Sequence, residues 1–170
     1  MSSSLAVSAC LVSADLTQTA PPLPDTLTYG FTLPAEAVSS RVARATTRVV
    51  LQTHGLEEMA DVAVQVVGEL TACAFRFAAD ASVYVSLRWW EGEFQVVVYD
   101  GHRRHTHPRL AAACDERRSD ALGVLGCVVE ACSGEWGFGE AREPGRGTRM
   151  WAVLPTEAAV EFAGVRAGRG

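Results

Sequence analysis

Apolar and polar positions along the chain repeat with two different periods, and the points where the period changes divide the sequence into elements. "LTYGFTLP", residues 27 to 34, alternates loosely and stops at Pro34, as a strand does. With Pro34 read as an N1 proline, Val38, Val42, Ala45 and Val49 then recur at helical spacing until "THGL", where Gly55 supplies a stop. A second helical pattern runs from about Glu57 to Ala78, with Met59, Val62, Val66, Leu70 and Ala74 on one stripe. "SVYVSLRWW" and "EFQVVVYD" are β-rich runs joined by "EG", which suits a tight antiparallel hairpin. "GHRRHTHPRLAAACDERR" has no clean period and reads as a long loop, of a length that is often functional. "SDALGVLGCVVEACSG" opens on a Ser-Asp cap signal and ends at Gly134, giving a third helix. "EWGFGEAR" and "GTRMWAVLP" flank the turn signal "EPGRG" as a second hairpin, and "TEAAVEFAGVRAGRG" forms a short helix before fraying.

The order β, α, α, β, β, loop, α, β, β segregates strands from helices. It predicts an α+β fold, a two-layer sandwich with helices on one face of a mixed, mainly antiparallel sheet. Residues 1–27, rich in Ser, Thr, Ala and Pro, read as a flexible N-terminal tail, 28–155 as the folded domain and 156–170 as a C-terminal tail.

Composition narrows the function. With 20 acidic against 15 basic residues the net charge is −5, and no basic face is evident, which argues against direct binding to nucleic acid. Every basic residue is Arg, so no lysine phosphate loop exists. Five cysteines, Cys10, Cys73, Cys114, Cys127 and Cys132, show no C-x-x-C spacing, and reduced cytosolic thiols are the default. The N-terminus is poor signal-peptide material, and no stretch approaches a membrane span, so a cytoplasmic protein with no membrane partner is expected.

The element order and four local matches resemble the GHKL (histidine-kinase-like) ATP-binding fold, and within it the anti-sigma-factor or serine-protein-kinase branch. "FTLPAEAVSSRVARA" matches the family's opening strand and helix, and "GELTACAFRFA", residues 68 to 78, its N-box helix. Against the family's E-L-V-T-N-A-V-R-H-A, Glu69 falls on the acid, Cys73 on the asparagine, Ala74 on the alanine, Arg76 on the basic position and Phe77 on the histidine. The resemblance implies that Glu69 orients or deprotonates a hydroxyl, as a general base within reach of the proton would. It also implies that the residue at 73 should hold Mg²⁺. A thiol serves a hard cation badly, so Mg²⁺ binding is doubtful and phosphotransfer weakened. Further matches put Asp100 of "VVVYDG" and Thr148, with Gly147, beside the adenine, and Gly123 and Gly126 of "DALGVLG", with Arg104, near the phosphates.

Each residue also has a plainer reading. Glu69 suits a solvated helix face, Cys73 a small buried apolar position, Asp100 the start of a turn with Gly101, and Gly123 and Gly126 helix packing. His102, His105, His107 and Cys114 invite a metal, but their loop arrangement fits no established structural spacing, and a nucleotide lid with basic groups is preferred. Adjacent Trp89 and Trp90 must point to opposite sides of a strand, leaving one for a partner.

The leading expectation is a regulatory protein that binds a sigma factor or its antagonist, with a partly retained ATP pocket and weak Mg²⁺-dependent transfer. A second copy of the chain is a further candidate partner. The alternatives are an active ATP-dependent serine-protein kinase and a nucleotide-free interaction module.

Overall fold

The computed structural model describes residues 22–141 and 147–168. Strand β1 (Thr28–Pro34) is followed by helices α1 (Ala37–Thr53) and α2 (Ala60–Phe77), then by strands β2 (Ser82–Trp90) and β3 (Glu93–Asp100). Helices α3 (Pro108–Ala121) and α4 (Gly123–Ala131), strands β4 (Glu135–Glu140) and β5 (Thr148–Pro155), and helix α5 (Thr156–Ala167) complete the chain. The strands form one open sheet in the order β1-β2-β3-β5-β4. Every neighbouring pair is antiparallel, so the fold is α+β, and the mixed component expected of the sheet is absent among the described residues.

Alternation fixes which side of the sheet the helices cover. Val83, Val85, Leu87, Phe94, Val96, Val98, Met150, Ala152 and Leu154 are buried on one face, and α2 fits against them with Val62, Val66, Leu70 and Ala74. This arrangement is a two-layer sandwich. The stripe expected on the second helix is the stripe that is buried. The turn at Glu91-Gly92 has positive φ at both positions, 49° and 87°, as a two-residue hairpin with the strands' own twist requires.

The first helix differs from expectation. Pro34 closes β1, paired with Ser82, and is not a helix N1 residue. The apolar stripe of α1 faces solvent: Val38 is 61%, Val42 49% and Val49 60% exposed, and Ala45 is exposed as well. The buried side is instead Ser39, Ser40, Ala43, Thr47, Val50 and Leu51. These small residues let α1 and α2 approach closely, and their hydroxyls are satisfied locally: Thr47 donates to the Ala43 carbonyl (2.9 Å) and Thr71 to that of Val67 (2.7 Å).

The segment expected as a long loop is mostly helix. Only 101–107 is irregular, and α3 begins at Pro108, a proline at N1. Ser119 and Asp120 lie inside α3 and cap nothing. The apolar period is missing because α3 buries only Ala111 and Arg118.

At the N-terminus most of the expected tail, with Cys10, lies outside the described residues. Its last residues belong to the domain: Leu27 is fully buried, and its carbonyl accepts the Trp89 N–H (3.1 Å). The tail expected after Pro155 is also part of the fold, since α5 buries Ala159. Most of "EPGRG", 143–146, lies outside the described residues.

Candidate functional site

Register brings the sequence-predicted acid and threonine together. Asp100 ends β3 directly opposite Thr148 at the start of β5, and Gly147 precedes them with φ of 96°. A Cβ on Gly147 would run into the Asp100 backbone, so only glycine fits there. Asp100 is 2% exposed. Its Oδ1 accepts the backbone N–H groups of His102 (3.0 Å) and Thr148 (3.3 Å). The Thr148 hydroxyl in turn donates to the His102 carbonyl (2.9 Å).

The other carboxylate oxygen is taken by a residue absent from the candidate set. Arg118, reaching in from α3, donates to Asp100 Oδ2 (2.8 Å) through a buried ion pair. The same guanidinium lies over the Phe77 ring, 4.2 Å from its centroid, and sits 3.0 Å from Met150 Sδ. Phe77 follows Cys73 by one turn on α2, so α2, β3, β5 and α3 all converge on this arginine. Sequence reasoning missed it because α3 was read as a loop; the signal was the spacing of Ala111, Cys114, Asp115 and Arg118, one helix face starting from Pro108.

Cys73 faces the same cluster. Burial pushes its thiol up to about 11, opposed by the positive charge of Arg118, which also hydrogen-bonds it, while the Asp100 carboxylate adds to the rise. At neutral pH it is a protonated, inert thiol. Glu69 lies half-buried one turn earlier on α2, and Arg76 is exposed near the end of that helix.

Of the expected phosphate-side residues, Gly126 and Arg104 have partners within the protein. Gly126 packs beneath Trp136, whose ring a Cβ would meet at 3.0 Å. Gly123 opens α4 with only Leu122 between it and α3, so no glycine-rich loop precedes the helix start. Arg104 is paired with Asp115 at 2.6 Å.

The acid expected to read a nucleotide base is engaged within the protein. Both Asp100 oxygens accept bonds from donors of the protein itself, and among the described residues every buried side-chain nitrogen and oxygen has a partner. The adjoining cavity, bounded by His102, Cys114, Arg118, Phe138 and Thr148 among others, has a volume of about 20 Å³, room for a single water. The protonated Cys73 thiol offers Mg²⁺ nothing.

No protein-family model matches the chain, and no curated protein matches it. The helices of the described residues include none long and apolar enough to cross a membrane.

Proposed function

We propose that this chain is a nucleotide-free regulatory module that works by protein contact. Its element order resembles that of the anti-sigma-factor kinases, and Arg118 pairs with the aspartate that the resemblance would assign to adenine. The observation that carries the reading is the outward apolar stripe of α1. Val38, Val42, Ala45 and Val49 follow a 4-3-4 spacing, the seam of a helix that packs against another helix. A single exposed valine is ordinary; three with an alanine on one stripe, above a buried face rich in small residues, mark a docking surface.

The partner that fits is a protein presenting an apolar helix. A sigma factor or its antagonist belongs to that class by the resemblance, and a second copy of this chain is the other candidate. The described cysteines are all free, in keeping with the reducing cytoplasm proposed for it. The expected partly retained ATP pocket is set aside because Arg118 answers the one acid that would read the base. The serine-kinase alternative is set aside with it.

Two measurements test this. Calorimetric titration with ATP, with and without Mg²⁺, should show no binding at micromolar nucleotide; Mg²⁺-dependent binding in that range favours the kinase reading. Sedimentation of the wild type, alone and with purified sigma factors and antagonists, should reveal a complex that Val42→Asp abolishes. A complex unaffected by that change would remove α1 as the docking face.

A further inference from the structure

The loop 101–107 and helix α3 place three metal-ligating side chains together that the sequence leaves scattered. Ligand atoms of His102, His105 and Cys114 all lie within 4.8 Å of one another. His102 Nε2 is 3.6 Å from Cys114 Sγ, and the His102 and His105 rings meet edge to face at 5.1 Å. His107, the fourth member of the sequence cluster, is not part of the group.

The 3.6 Å separation has a chemical meaning. With a metal–nitrogen bond of about 2.0–2.1 Å and a metal–sulfur bond of about 2.3 Å, a tetrahedral ion separates those two ligand atoms by about 3.6 Å. This edge of the tetrahedron is already built. His105 is exposed on the loop, so its ring can rotate to close the remaining edges.

Two features hold the site in place from outside. The His102 backbone is fixed at both ends, its N–H on Asp100 and its carbonyl under the Thr148 hydroxyl. Beside Cys114, Asp115 binds Arg104 of the loop, which ties loop to helix. The same three ligands help line the cavity of about 20 Å³, large enough for one water as a fourth ligand.

We infer that His102, His105 and Cys114 form a three-ligand site for a borderline-soft divalent cation, Zn²⁺ above all, with the fourth position open to this cavity. Two imidazoles and a thiolate select against Mg²⁺ and Ca²⁺, which demand oxygen. Binding releases the Cys114 thiol proton to solvent and leaves the metal oxidation state unchanged. The ion would clasp the loop to α3, the helix that delivers Arg118 to Asp100. The assignment is independent of the partner and nucleotide readings above.

The test uses the full chain, stripped of metal and titrated with Co²⁺, then Zn²⁺. One equivalent of Co²⁺ should give tetrahedral visible bands and a thiolate-to-cobalt absorption, both displaced by Zn²⁺. Cys114→Ser should abolish the thiolate band and weaken Zn²⁺ binding by roughly 100-fold or more, beyond what losing an outer-shell partner costs. His102→Ala and His105→Ala should weaken it at least about tenfold, while His107→Ala and Cys127→Ser leave it unchanged. As a readout needing no variant, Zn²⁺ should slow alkylation of Cys114 and not of exposed Cys127. Absence of the thiolate band in the wild type, its survival in Cys114→Ser, or equal alkylation of the two cysteines with Zn²⁺ present would each overturn the site.

Discussion

Arg118 shows how one side chain reassigns a site. An aspartate at a strand end, opposite a Gly-Thr step, is expected by the resemblance to offer its carboxylate oxygens to adenine. Here both are engaged inside the protein. Removing the arginine leaves a buried carboxylate uncompensated, so Arg118→Ala should cost about 3–5 kcal/mol in denaturant unfolding. Adding Asp100→Asn should recover part of that loss, because the amide oxygen can still accept the two backbone N–H groups without carrying charge. Cys73 gives a pH signature at the same place. Its folded thiol titrates near 11 against an ordinary 9.0, so stability is full below pH 9 and falls as pH climbs towards 11, where the unfolded thiol has already ionised. The Cys73-specific part, wild type minus Cys73→Ala, should amount to roughly 2 kcal/mol.

At the scale of elements, legibility followed the link between apolarity and burial. Helix α2 and the β2–β3 hairpin were readable because their apolar positions are the buried ones, with the right period and turn. Helix α1 obeyed the period and inverted the meaning: its small polar residues are buried, while Val38, Val42 and Val49 of the periodic stripe are outside. Helix α3 escaped because its inner face, Ala111, Cys114, Asp115 and Arg118, is a site and not a core. The candidate residues were partly legible: Asp100, Gly147 and Thr148 meet, whereas Arg118 and the His–Cys group depend on α3 folding back over the loop. Val42→Asp should change stability by less than about 0.5 kcal/mol, as surface substitutions do, even while it destroys a docking seam. Ala43→Asp, one residue on and fully buried, should unfold the α1–α2 contact; thermal melts of the two variants make the comparison. At the hairpin, Glu91 holds φ of 49°, a region asparagine tolerates better, so Glu91→Asn should raise stability by about 0.5–1 kcal/mol.

For the molecule as a whole, the helices of the described residues leave one sheet face uncovered. Its outward positions carry Tyr84, whose ring is tilted against that of Tyr99 at 6.1 Å, and Trp151, whose ring lies over Gly137. At the hairpin end Trp90 is 51% exposed with the Arg88 guanidinium over its ring, while Trp89 turns inward to donate to Thr156 (3.0 Å). The expected split of the two tryptophans between faces is therefore what the strand delivers. Helix α3 buries only Ala111 and Arg118, and the Arg104–Asp115 pair and the Cys114–His102 contact tie it to the loop before it. A helix fastened at so few points opens before the sheet does, and a protease finds it first. Brief trypsin digestion of the native chain, read by mass spectrometry, should cut after Arg109 and Arg117 well ahead of Arg88 or Arg149, and a zinc-loaded sample should resist those first cuts for longer.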